Sequence, residues 1–397
     1  MTKMNDAKSH KTLICFVLVA ALLSAGQQPA RSLVSELATI HRPTGEDTGI
    51  LNDVAFSPNG ALVAAVGGHS EGGSRGGWSA RYLGNVGLWE TKAFKRTAYA
   101  ALWERNELKP PIPFELRHRE VKCVAFSPDG KMLATGDGSW ESPGEVVVWD
   151  PATLKPRARL KGHSGWVESL SFSPDGKILA TCGWTILHGN EPFQNFYSGE
   201  VRVWEVESGR QLFSEQFQGV FLMSIAFSPD GAFFATTGRD MSRGSDAVPD
   251  GEIRVWDVGS RRVRFKHRRR GSVEEIKFIK SASIVATGWD DGSLVFLDVA
   301  SGEELGTLRP KTQNPETARA LGLAVSPDGG TLAVGLGSWN RFGKWGELHF
   351  VDVKKRQEIE SPVLKFDKPV MALDFSPKGD LLAVASGSRL KIYQFHK

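Results

Sequence analysis

The chain has 397 residues, of which 41% are hydrophobic and 24% charged, a balance that excludes intrinsically disordered and fibrous classes and supplies material for a large core. A formal charge of +4 is too small to indicate general attraction to nucleic acid, and three cysteines do not make a disulfide framework.

In chain order, the first segment is unlike the rest. Lys3, Lys8, His10 and Lys11 precede an unbroken apolar run from Leu13 to Leu23, followed by Ser24, Ala25 and Gly26. That is the layout of a secretory signal peptide. The run is far shorter than the ~20 residues a membrane-crossing helix needs, so cleavage near Gln27 is expected, with an uncleaved anchor as the alternative. Residues 1–26 are assigned to the signal and 27–397 to an exported domain, periplasmic or secreted, with no membrane insertion after cleavage. Losing Lys3, Lys8, Lys11 and Asp6 takes the formal charge from +4 to +2. Cys15 leaves with the signal. Cys123 and Cys182 stand in apolar, strand-like contexts and read as small buried residues.

After a strand-like stretch, Leu33 to His41, the chain repeats itself. Six segments share an apolar-alternating run, a Ser-Pro-Asp-Gly-like turn and a second apolar run: Val54 to Val63, Val124 to Leu133, Leu170 to Leu179, Ile225 to Phe234, Leu323 to Leu332 and Leu373 to Leu382. A seventh, Ile276 to Val285, keeps the apolar frame but has Ile279-Lys280-Ser281-Ala282 at the turn. Pro presets φ, Asp tolerates the next position and Gly takes the left-handed conformation that follows, so each unit opens with a hairpin. A third strand then ends in Leu88-Trp89-Glu90, Val148-Trp149-Asp150, Val203-Trp204-Glu205, Val255-Trp256-Asp257 or Leu297-Asp298. A more polar fourth strand follows, as in Gln211 to Phe213 and Glu304 to Leu308.

Together with Gly162-His163, these turns and Trp-acid pairs resemble WD40 repeats, and the chain is read as an exported, bacterial-type WD-repeat protein. The resemblance implies an all-β fold: a seven-bladed β-propeller of four-stranded antiparallel blades. Blades are expected at about 50–118, 119–162, 163–219, 220–270, 271–316, 317–368 and 369–397 plus 32–42. The N-terminal strand Leu33 to His41 completes the last blade and removes the open sheet edges. WD repeats often carry a hydrogen-bonded Asp, His, Ser and Trp set. The third blade has His163 and Trp204, but Ser198 where the turn Asp belongs, so apolar packing is expected to hold the ring more than such networks.

Units are spaced 46 to 70 residues apart, against ~40 to 45 for plain repeats. Five units lengthen the segment between strands two and three: Gly67 to Gly84, Gly136 to Gly144, Gly183 to Gly199, Gly238 to Gly251 and Gly337 to Gly346. All five fall on one face of the ring. On the other face the first unit runs long from Lys92 to Pro113, where Ala93 to Arg105 reads as a short helix.

Trp78, Trp140, Trp184, Trp289, Trp339 and Trp345 lie in or beside the lengthened segments, either as packing for loop bases or as an aromatic binding surface. Arg268, Arg269 and Arg270 are placed in a linker on the same face, available to an acidic or phosphorylated partner. Val263, Phe265 and His267 alternate with Arg262, Arg264 and Lys266, as an outer strand with one solvated face requires.

Catalytic signals are weak. Gly68-His69-Ser70-Glu71-Gly72 matches a serine-hydrolase elbow but lacks the following helix. His41, His118, His163 and His267 precede different blades, so no shared metal site is expected. The expected function is a noncatalytic protein-binding or scaffolding propeller of the cell envelope or exterior, acting through the enlarged face. A protein or peptide is the expected partner, and a glycan, small molecule or acidic ligand the alternative. Nucleic acid and cofactors are not expected, and an enzyme of hydrolase type is the weakest reading.

Overall fold

The structure is a computed structural model that describes residues 32–41, 49–71, 81–93, 95–101, 118–139, 142–188, 195–242, 248–280, 283–338 and 343–396. It is all-β, a ring of seven blades. The first strand of each hairpin is innermost: Gly49–Phe56, His118–Phe126, Trp166–Phe172, Val220–Phe227, Val273–Phe278, Arg319–Val325 and Val370–Phe375. Each packs against the inner strands of the blades before and after it, and the last returns to the first. In the third blade the order from centre to rim is Trp166–Phe172, Ile178–His188, Asn195–Glu205, Gln211–Gln218.

Closure follows the expected route. Val34–His41 pairs antiparallel with Arg389–Phe395, from Val34 opposite Phe395 to His41 opposite Arg389. The first strand of the chain thereby becomes the outer strand of the seventh blade, so the two ends are held by a hydrogen-bonded ladder.

The hairpin turns keep their residues for a reason beyond φ. The turn serine is buried in six blades, at Ser57, Ser127, Ser173, Ser228, Ser326 and Ser376. Its hydroxyl donates to the turn acid or amide, as in Ser127 Oγ to Asp129 Oδ1 (2.6 Å), and accepts the main-chain N–H across the hairpin, as from Met132 (3.0 Å). In the fifth blade Ile279 takes the serine's place, 4% exposed, and hydrophobic burial replaces the polar clasp while the Ile279 N–H to Ile284 O bond remains (2.8 Å).

A β-bulge interrupts every inner strand at the same height, for instance between Val167 and Ser169 and between Leu222 and Ser224. Such bulges bend and twist a strand. The bulge in the third blade brings Trp166 O against Gly183, where an added Cβ would lie only 1.8 Å from it. The glycines opening the lengthened segments are therefore packing requirements as well as loop signals. The core is a set of seven inter-blade clusters. One joins Ala64, Val66, Val86 and Leu88 of the first blade to Val121, Phe126, Leu133 and Trp149 of the second.

Two expectations are corrected here. Within the stretch Ala93 to Arg105 expected as a helix, Lys95–Ala101 is a strand, with Ala98 opposite Leu88 and Ala100 opposite Val86. The first blade needs an outer strand, and that pairing overrides the helical propensity of alanine; residues 102–117 lie outside the described residues. The lengthened segments of the first and third blades are also less loop-like than expected. They continue the hairpin ladder out to Glu71 opposite Arg81 and His188 opposite Asn195. In the first blade this arm also lays Tyr82 and Leu83 parallel to His118 and Arg119 of the second.

Candidate functional site

The inner strands line the centre of the ring, and their partly exposed side chains include Asp53, Lys122, Glu168, Glu275, Lys277 and Asp374. Asp53 and Asp374 clip the first blade to both neighbours, since Val124 N–H donates to Asp53 Oδ2 (2.8 Å) and Phe56 N–H donates to Asp374 Oδ2 (2.6 Å). Ser169 and Ser171 do the same from the third blade to Ile225 and Phe227 of the fourth (3.2 and 3.1 Å). Burial pushes Asp53 up to about 7 and Asp374 up to about 6, with Lys277 opposing both shifts. Burial disfavours the Lys277 charge, but Glu275 at 3.0 Å, with Asp53 and Asp374, holds its pKa above the ordinary lysine value. These six are four carboxylates and two lysines, and Asp53 and Asp374 among them also pin neighbouring blades together.

At the channel mouth on the face of the lengthened segments, four aromatic rings are continuous. Trp166 and Trp184 are cross-strand partners with ring centroids 4.4 Å apart. Trp184 also meets Phe221 of the next blade (4.4 Å), which meets Tyr197 (4.3 Å). Trp184 Nε1 donates to Glu168 Oε1 (3.0 Å), and the Arg239 guanidinium lies 4.7 Å over Phe221. Trp166, Trp184, Tyr197 and Arg239 are all partly exposed. The cluster unites residues from two blades and from four strands, with an acid on one side and a base on the other. It is a surface able to take an amphipathic group, with the aromatic faces supplying contact area and the two charges orienting it.

The six tryptophans proposed from sequence therefore part company. Trp184 belongs to this cluster. Trp345 is partly buried against the core shared by the fifth and sixth blades. Trp289 is corrected: it is 1% exposed, its Nε1 donates to Thr287 Oγ1 (3.0 Å), and it is a core residue. Its ring fills the space left by Gly251, where an added Cβ would approach it to 2.5 Å. Trp78, Trp140 and Trp339 lie outside the described residues. Trp89, Trp149, Trp204 and Trp256 are buried, as expected of strand ends.

Arg268, Arg269 and Arg270 are also corrected in place. They end the outer strand Val263–Arg270 of the fourth blade and do not form a linker. Arg268 Nε donates to Glu252 Oε2 (2.6 Å) and Arg269 pairs with Asp291 (3.4 Å) while covering Trp289; Arg270 is exposed.

Sequence reasoning missed Trp166, which lies outside the lengthened segments, and it missed the buried glutamates. Glu145, Glu200, Glu252 and Glu347 each follow a glycine and each sit four residues before the large apolar residue near the end of a third strand, Trp149, Trp204, Trp256 or Val351, all under 8% exposed. The recurring Gly-Glu pair was the available signal. In the third blade Glu200 completes the network that Ser198 was thought to leave open. Trp204 Nε1 donates to Thr181 Oγ1 (3.0 Å), Thr181 meets His163 Nε2 (2.8 Å), and His163 Nδ1 stands 3.3 Å from Glu200 Oε2. Glu200 also accepts from Ser164 N–H (3.1 Å) and Gln216 Nε2 (3.0 Å). Burial works against its charge, but these donors bring its pKa down to about 2. Burial lowers the His163 pKa, with Glu200 opposing the shift. The acid sits two residues later than expected, at the position that Glu145, Glu252 and Glu347 take in their own blades.

Cys123 and Cys182 are free and buried. No group of three or more His, Cys, Asp or Glu among the described residues is arranged to hold a metal ion, and no described helix is long and apolar enough to cross a membrane.

Blade geometry, serine-clasped turns and the Trp204–Thr181–His163–Glu200 network define a propeller built from a repeated interaction module. The WD40 family model (WD domain, G-beta repeat) matches residues 114–150, 154–205, 213–257 and 360–394, and the chain belongs to the WD40-repeat family. Among its relatives, Centriole proteome protein 16 of Chlamydomonas reinhardtii is 31% identical over 142 residues, covering 34% of this chain and 6% of that protein. The Periodic tryptophan protein 2 homolog of Dictyostelium discoideum is 26% identical over 192 residues (47% and 18%). The guanine nucleotide-binding protein subunit beta of Arabidopsis thaliana is 26% identical over 205 residues (49% and 50%). The chain spans half or less of the length of each of these relatives. WD40 propellers typically serve as protein-interaction scaffolds.

Proposed function

We propose that this chain is an exported, noncatalytic scaffold that binds a protein or peptide through the face carrying the lengthened hairpins. The observation that carries the reading is the aromatic cluster of Trp166, Trp184, Tyr197 and Phe221, flanked by Glu168 and Arg239 at the channel mouth. Trp166, Trp184 and Tyr197 are partly exposed over the buried Phe221, and large aromatics beside oriented charges are the composition of interface centres. A relative named as a subunit of a guanine nucleotide-binding protein agrees with a role in assembly. Export rests on the basic start and apolar run of residues 1–26 and places the scaffold in the cell envelope or exterior.

The test compares partner capture from an envelope fraction by wild type, Trp184→Ala and Lys131→Glu. Lys131 adjoins the Asp129-Gly130 turn on the opposite face. The Trp184 variant should weaken binding by ~1 to 4 kcal/mol while unfolding normally, with the Lys131 variant unaffected. Equal loss in both, or loss in Lys131→Glu alone, would assign binding elsewhere.

A further inference from the structure

The outer strand Val263–Arg270 of the fourth blade has a free edge, since among the described residues its one ladder partner is Asp250–Asp257. Along it, exposure alternates strictly: Arg264, Lys266, Arg268 and Arg270 are exposed, while Val263, Phe265, His267 and Arg269 are partly covered. Arg262, just before the strand, is exposed as well. Residues two apart in a strand are ~6.8 Å apart, so the cations form a regular row on one side of an open edge.

The second blade shows what a neutralised version looks like. On its outer strand Pro156–Lys161, Arg157 pairs with Asp150, and Arg159 and Lys161 both pair with Glu145, at 2.5 and 3.5 Å. In the fourth blade only Arg268 of the row is matched in this way, by Glu252 and Asp240. Among the described residues no carboxylate lies within ion-pair distance of Arg262, Arg264, Lys266 or Arg270; Arg264 meets the Ala300 carbonyl oxygen (3.5 Å) and lies 5.2 Å over the Phe233 ring. Guarding an edge against aggregation does not demand such a row. The outer strands Gln211–Gln218 and Glu304–Leu308 carry no cation at all.

We propose that this edge is a docking site for an extended acidic peptide, separate from the channel-mouth surface, which pairs as an added strand and sets a carboxylate at every second residue against the cation row. Strand addition supplies main-chain hydrogen bonds, and alternate side chains supply selectivity. Cross-strand partners on one face stand ~5 Å apart, within ion-pair reach of long side chains. The opposite face of the incoming strand meets Val263 and Phe265, which favours small apolar residues there. A spacing set by a β-strand is what distinguishes this occupant from a polysaccharide or a nucleic acid.

Fluorescence anisotropy with the purified protein decides the matter. The probe is a labelled ten-residue peptide of alternating Glu and Val, compared with one of the same composition with its glutamates grouped, and with one N-methylated at alternate residues. The alternating peptide should bind, more weakly as salt is raised, and both comparison peptides should bind at least about tenfold more weakly. The combined variant Arg264→Glu, Lys266→Glu and Arg270→Glu should lose the alternating peptide to the same degree. The milder pair Lys266→Gln and Arg270→Gln, which adds no acid, should show a smaller loss in the same direction if the triple variant does not fold. Absence of binding, indifference to N-methylation, or equally tight binding of a sulfated polysaccharide would overturn strand addition at this edge.

Discussion

Replacing Glu200 by Gln tests whether the third blade's buried network is a working part of the fold. Glutamine keeps the size and one acceptor oxygen but removes the charge that His163, Ser164, Arg202 and Gln216 surround. One pKa unit corresponds to ~1.4 kcal/mol. A carboxylate drawn from 4.5 to about 2 therefore stabilises the folded state by roughly 3 kcal/mol at neutral pH. Because the folded value is the lower one, this contribution is complete above the unfolded value near 4.5 and is lost as pH falls through about 2. Urea unfolding followed by tryptophan fluorescence should show the variant less stable by ~2 to 3 kcal/mol at pH 7. Near pH 3 the gap should shrink to about half or less. A gap that stays constant from pH 7 to pH 3 would mean that the loss is one of packing and that the charge is not what the blade uses.

Two further outcomes follow from the ring. Deleting residues 27–44 removes the partner of Arg389–Phe395, and light scattering should detect association of the exposed edge; a monomeric variant that melts with wild type would refute the closure. Asp53 has a folded pKa raised to about 7, so its ionisation costs stability as pH rises from about 4 to about 7. Asp53→Asn should melt higher than wild type at pH 8 and converge with it near pH 4, whereas a variant less stable throughout would show that the carboxylate is needed as an acceptor for Val124.

The repeat was legible because its physics is local. A Pro-Asp-Gly turn and a period of two in hydrophobicity specify a hairpin wherever they occur, and Val54 to Val63 or Ile225 to Phe234 declare one without reference to the rest of the chain. The fifth unit was recoverable without its turn, since Ile276, Phe278 and Val285 keep the frame. The candidate site was legible only in part. Trp184 and Trp289 look alike in sequence, each directly after a glycine in a second strand, yet one meets Phe221 at the channel mouth and the other disappears over Gly251. Whether a ring is exposed depends on what the adjacent blade places against it, and that is a long-range contact.

The same division separates charges from their meanings. The sequence by itself determined that Arg262, Arg264 and Lys266 share a solvated face, because alternation along a strand is a covalent property of the backbone. Only the tertiary structure decided that Glu252 and Asp240 neutralise Arg268 while Lys266 and Arg270 have no carboxylate in ion-pair reach among the described residues, and that Glu200 rather than Ser198 completes the His163 network. Local pattern fixes which way a side chain points, but its partners arrive from neighbouring strands and other blades, and their distances exist only once the ring has closed.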